Sequence, residues 1–226
     1  MRAVVFDIDG TLVQSVSVDD DLYRSALHHV LGPVRFRDAF AEYDFVSDSG
    51  ILWQVLIDND LQDLPDPTSA IILKFVDSLQ EHISTNGAFR EVPGARKLVA
   101  SLQSSPDHYV AIATGGWSAS ATLKLESAGF DLNDITLSAS DEKRDRTDIM
   151  RAALDQPETE YQSITYYGDG PWDRDACVSL GWDFIPVGRA LGGLESYLEL
   201  GVVEQCAALA NRSRHHFCIH TKHAVR

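Results

Sequence analysis

The chain has 226 residues, 44% of them apolar and 23% charged, with a formal net charge of −15 at neutral pH. That length suits one large domain or a domain carrying an insert, and the composition is ordinary for a soluble globular protein. The acidity argues against a nucleic-acid partner, which would need a basic surface, and is read as a source of solubility.

In chain order, the apolar run Ala3-Val4-Val5-Phe6 stops at Asp7-Ile8-Asp9-Gly10-Thr11. This is the pattern of a buried strand with polar groups at its tip. Residues 14–90 then change character. Asp19-Asp20-Asp21 precedes YRSALHHVL and favours a helix start, and Gly32-Pro33 ends that helix. RFRDAFAEYDF also has helical spacing, and Asp48-Ser49 is a candidate cap for ILWQVLIDNDL. Pro65 and Pro67 break the chain before the helical SAIILKFVDSLQEHI. From Val92 helices and strands alternate: ARKLVASL, YVAIATGG, SASATLKLESAGF, DITLSAS, RTDIMRAAL, SITYYGDG, DRDACVSLGW and DFIPVG. Such alternation predicts an α/β fold, a Rossmann-like parallel sheet with helices on both faces and sites at the carboxyl ends of its strands.

The expected division is an α/β core over 1–13 and 91–210, an inserted helical subdomain over 14–90, and a tail over 211–226. The tail holds His215, His216, His220 and His223. A metal site is conceivable there, but clustered histidines in a frayed terminus read first as solvated. Cys177, Cys206 and Cys218 form no CxxC pair, which supports neither a disulfide framework nor a zinc site and fits a reducing compartment. The N-terminus enters a strand without a basic and then a long apolar region, so no signal peptide is expected. No window approaches the roughly 18 apolar residues of a membrane helix. The expectation is a cytoplasmic protein with no membrane partner.

Four strand ends collect the residues that carry chemistry. Asp7 and Asp9 are costly beside a hydrophobic sheet unless a cation offsets them, and hard oxygen ligands suit Mg²⁺. Thr114-Gly115-Gly116 closes the second strand before a helix, where a hydroxyl and backbone N–H groups make a phosphate seat. Lys143, Arg144 and Arg146 follow the third strand, and Asp169 and Asp173 flank a Gly-Pro turn after the fourth. Taken singly, Thr114 and Asp173 read as helix caps. Their arrival at successive strand ends is what points to a site.

These segments resemble, in order, motifs I to IV of the haloacid-dehalogenase-like (HAD) hydrolases, most of which are phosphatases. The first and fourth match closely, the second well, and the third in outline, since the usual lysine and proline-rich turn is here a basic run without proline. The resemblance implies that Asp7 is a nucleophile forming an aspartyl-phosphate and that Asp9 is the general acid and then base. It implies Mg²⁺ held by Asp7, the backbone carbonyl of Asp9, and Asp169. Thr114 and the Gly115 amide would hold phosphoryl oxygens. Asp173 would support the metal through water or orient the third-motif cation, for which Arg146 ranks ahead of Lys143. The insert resembles a C1-type cap, as in phosphoglycolate phosphatase-like members.

Within that family Asp9 favours phosphoryl transfer, because a departing halide needs no proton. Phosphonatases need a lysine in the insert, and Lys74, the only one in residues 14–90, is expected on the surface. The candidate specificity segment runs from Tyr43 to Gly50, where Asp48 reads equally as a helix cap. Arg24, Arg35, Arg37 and Arg90 form no evident second anion site. The expectation is therefore a Mg²⁺-dependent phosphatase for a small phosphorylated metabolite, monomeric or homodimeric. A phosphomutase of the same superfamily, or a catalytically idle binding protein of this fold, is the alternative.

Overall fold

The structure, a computed structural model, describes residues 1–155 and 159–200. The histidine-rich tail, Cys206 and Cys218 lie outside the described residues. Five strands, β1 (Arg2–Phe6), β2 (His108–Ala113), β3 (Thr136–Ser138), β4 (Ile164–Gly168) and β5 (Asp183–Pro186), form one parallel sheet in the order β3-β2-β1-β4-β5. The chain builds outward from β1 on one side, then returns to build the other. β1 therefore sits where the strand order reverses, the place at which open α/β sheets form a crevice beyond their carboxyl ends.

Seven α-helices accompany this sheet among the described residues. Between β1 and β2 lie α1 (Val16–Leu31), α2 (Asp48–Asp58) and α3 (Thr68–Asn86), followed by α4 (Ala95–Gln103). After β2 come α5 (Ser118–Ser127), α6 (Arg146–Ala152) and α7 (Pro171–Leu180). The alternation of β1 sorts its side chains between two layers. Val4 and Phe6 pack with α4 and α5 residues such as Leu98, Ala121 and Leu125. Val5 packs on the opposite face with Ile149 and Met150 of α6 and with Cys177 of α7.

The first layer does not stop at the sheet. Trp117, fully buried, has its ring centroid 5.4 Å from Tyr23 of α1 and 6.3 Å from Phe75 of α3. A single apolar cluster thus runs from the sheet face into the helices between β1 and β2. No described helix is long and apolar enough to cross a membrane.

Two local expectations need correction. RFRDAFAEYDF does not form a helix; only a single 3-10 turn, Phe40–Glu42, appears in it. Its backbone is taken up elsewhere, because Arg35 N donates to Asn59 Oδ1 (2.8 Å) and Asn59 Nδ2 donates to Arg35 O (2.9 Å). Arg37 is held by Asp58 at 2.7 Å. A helix starting here would need the Arg35 carbonyl for its own ladder. The cap of α2 is Ser47, whose Oγ accepts from Gly50 N at 3.1 Å, rather than Asp48. Asp48 is thereby free to reach across to the sheet.

Candidate active site at the carboxyl end of the sheet

Asp7 is the first residue beyond β1. Its N–H donates to Tyr167 O at 2.9 Å, so the central ladder continues to the edge of the crevice and fixes the carboxylate there. Asp169 follows β4 directly, and Asp173 lies in the first turn of α7, where its Oδ2 accepts from Gly170 N at 3.1 Å. One oxygen each from Asp7, Asp169 and Asp173 lie within 4.8 Å of one another. Gly10, at a φ of +74°, passes close over Asp169; a side chain there would strike that carboxylate.

Arg146, the first residue of α6, enters this group from the β3 side. Its Nη1 lies 3.3 Å from Asp7 Oδ1, and its Nε lies 3.1 Å from Asp173 Oδ1, an ion pair rather than an aligned hydrogen bond. Thr114, just past β2, accepts from Gly116 N at 3.1 Å through Oγ1, which leaves its hydroxyl proton free to donate. Gly115 lies against Val46 O and the Arg146 guanidinium, so closely that a Cβ would crowd both. A cavity of about 120 Å³ opens among these residues, with Asp7, Asp9, Thr114, Gly115, Arg146 and Asp169 on its polar side. Val16, Phe40, Val46, Ile51 and Trp172 form the apolar side.

The charges in this group are poorly matched. Burial raises the pKa of Asp7 well above the usual carboxylate range, against the pull of Arg146, and Asp173 and Asp169 add to the rise. Asp169 is pushed up to about 7 by burial and by the neighbouring charges of Asp173 and Asp9. Burial raises Asp173 as well, with Arg146 opposing. For Arg146, burial would favour loss of the proton, but Asp173 and its acidic neighbours outweigh it and hold the guanidinium charged. Crowded hard-oxygen donors offset by one arginine are the chemistry of a divalent-cation site, and these residues fit such an ion.

Asp9 faces the same cavity but stands apart from the trio. Its Oδ1 accepts from Ser15 Oγ at 2.5 Å, and Lys124 Nζ donates to both of its oxygens at 2.7 Å. Lys124 also reaches Asp19 Oδ1 of α1 at 2.5 Å. Sequence reasoning missed Lys124. Its signal was the stripe Trp117, Ala121, Lys124, Leu125 and Ala128, a helical spacing in which one charged residue occupies a core position. The other basic candidates are placed elsewhere. Lys143 is half-buried and does not line the cavity, and Arg144 is exposed with its guanidinium 5.1 Å over the Trp53 ring. Lys74, on α3, does not line the cavity either.

A model of the haloacid dehalogenase-like hydrolase family matches residues 1–181. The chain belongs to this family. Solved structures of similar fold include a hydrolase from Pseudomonas syringae, 20% identical, with a TM-score of 0.63 over 82% of this chain and 84% of that one. CbbY from Rhodobacter sphaeroides, in complex with phosphate, is 18% identical, with a TM-score of 0.63 over 89% and 96%. β-Phosphoglucomutase from Clostridium difficile is 17% identical, with a TM-score of 0.66 over 94% and 98%. At these identities the likeness establishes the HAD fold alone. A search of curated proteins finds no match. The family and the parallel α/β architecture expected from the sequence are thus those observed, with the HAD motifs brought to one end of the sheet.

Proposed function

We propose that this HAD-like hydrolase is a Mg²⁺-dependent phosphatase that cleaves the phosphate monoester of a small metabolite. The observation that carries the reading is that Asp7, Asp9, Asp169, Arg146 and Thr114 line one cavity. In the proposed reaction an Asp7 oxygen attacks phosphorus and the bond to the leaving oxygen breaks, while Asp9 gives that oxygen its proton. Asp9 then takes a proton from water as the water oxygen attacks the aspartyl-phosphate, which releases inorganic phosphate and restores Asp7. Arg146, the Thr114 hydroxyl and the Gly115 amide hold the phosphoryl oxygens through these changes. Asp7, Asp169 and the Asp9 carbonyl would hold Mg²⁺, with Asp173 in support, and the ion when bound supplies the positive charge that lets carboxylate and phosphate approach.

The helices of residues 14–90 act in this reading as a cap on the α/β core, whose expected residues 201–210 lie outside the described residues. They contribute Val16, Phe40, Val46, Ser47, Asp48 and Ile51 to the cavity wall, and Arg146 is the only cation lining it among the described residues. That favours a small monophosphate over a bisphosphate, whose second anion would meet apolar side chains and the Asp48 carboxylate rather than a cation. The test is release of p-nitrophenol from its phosphate ester with and without Mg²⁺, beside Asp7→Asn. Metal-dependent turnover that disappears in the variant is expected; equal rates in the two proteins would overturn the enzyme reading.

A further inference from the structure

We propose that Lys124 is the positioning residue that aims the Asp9 carboxyl into the cavity, and that Oδ2 is the Asp9 oxygen which carries the transferred proton. The inference rests on the phosphatase reading above and deepens it. Lys124 has no exposed surface, yet its ammonium sits at the centre of a bridge between the strand-tip loop and α1. Burying an ammonium is costly, and an apolar side chain at this point of the α5 stripe would pack without that cost. Its contacts show what the charge is spent on: two hydrogen bonds to Asp9 and one to Asp19.

The division of bonds within the Asp9 carboxylate identifies the oxygens. Oδ1 accepts from both Ser15 Oγ and Lys124 Nζ, whereas Oδ2 accepts from Lys124 alone. Oδ1 is thus the anchored atom, and Oδ2 keeps a free site with which to hold a proton and hand it to a leaving oxygen. Lys124 keeps its own proton throughout. Its ammonium donates to Asp9 and Asp19, and it has no place among the residues lining the cavity. Asp19 fixes the ammonium from the far side, so a rotation of Lys124 away from Asp9 would strand one carboxylate or the other.

The experiment separates this role from a purely structural one by varying the leaving group at constant shape. Lys124→Met removes the anchor but leaves the Asp9 and Asp19 carboxylates together without their shared cation. Lys124→Met with Asp19→Asn removes one carboxylate along with the cation, and so preserves a folded protein in which Asp9 is still unanchored. Both are compared with the wild type on p-nitrophenyl phosphate and phenyl phosphate, using kcat/KM, which reports the steps up to departure of the phenol. Nitrophenolate leaves without help, whereas phenolate needs the proton. The expected loss is on the order of 100-fold for phenyl phosphate and below about 5-fold for p-nitrophenyl phosphate, in keeping with the usual worth of a placed general acid. Equal losses on the two esters in the folded double variant would overturn the positioning role while leaving the phosphatase reading intact. A wild-type protein that hydrolyses neither ester would overturn both.

Discussion

Two charged clusters meet at one cavity, the second reaching its wall through Asp9, and they are balanced to different degrees. At the strand ends, Asp7, Asp169 and Asp173 share the single guanidinium of Arg146, and all three carboxyls are pushed up in pKa. Behind them, Lys124 bonds to both oxygens of Asp9 and reaches Asp19, so that acid and cation hold one another in place. The first group is short of positive charge, which is what a site for an added cation and an anionic substrate requires. In the second, one cation bonds both oxygens of a single acid and one oxygen of another. In the proposed reading a shared burial of acidic residues therefore serves two ends: one cluster accepts a ligand, and the other is fixed in geometry.

Neutralising one acid from each cluster breaks the comparison most directly. Asp7→Asn is expected to lower p-nitrophenyl phosphate turnover by about 1,000-fold or more, the loss of a nucleophile. Without metal, the same variant should be more stable than the wild type by on the order of 1 kcal/mol, because a strained buried charge is gone. Asp9→Asn should also cost activity, but its stability should fall by about 2 kcal/mol, since Lys124 loses a charged partner. Urea unfolding of the two variants gives the sign, and a common sign for both would erase the distinction between the clusters. Lys124→Met should be costlier still, about 3–5 kcal/mol, with part recovered on adding Asp19→Asn.

A second contrast lies in the response to metal. Millimolar Mg²⁺ should raise the melting temperature of the wild type, by an amount equivalent to roughly 1–3 kcal/mol for a ligand well above its dissociation constant. Asp7→Asn should lose most of that response and Lys124→Met should keep it, because Lys124 touches none of the trio. Equal metal responses in these variants would argue that the ion does not sit at the strand ends.

The two clusters were unequally legible in the sequence. Asp7, Asp169 and Thr114 announce themselves because each ends an apolar run and opens a turn, and a parallel sheet brings such ends together. Arg146 was legible from its place at the start of a helix, without the proline-rich turn expected near it. Lys124 was not, since a lysine in an amphipathic helix ordinarily lies on the solvent face; only its place on the Trp117–Ala128 stripe departs from that. RFRDAFAEYDF shows the reverse failure. Its helical apolar spacing is present, but Asp58 and Asn59 at the end of α2 claim its donors and acceptors. The apolar wall was illegible for a further reason: Phe40 and Trp172 lie far apart in sequence yet meet edge to face, with centroids 5.6 Å apart.

The smallest expected effect is one of pH, and it tests how fully the Lys124 cluster balances itself. Asp19 is pushed up to about 6 by burial and by the charge of Asp9, with Lys124 opposing. An acid whose folded pKa exceeds its unfolded value binds its proton more tightly in the native state. Stability from this group is therefore present below about pH 4 and is lost as pH rises through 6. Asp19→Asn deletes that contribution, so its stability should decline less than that of the wild type between pH 4 and 6.5, by roughly 2 kcal/mol or less. The difference should vanish as a slope above pH 7, where Asp19 is ionised in both states. Parallel stability curves across the acid range would mean that Lys124 cancels the cost of burying Asp19 outright. The second cluster would then be fully self-compensating rather than nearly so, which would widen its contrast with the acids at the strand ends.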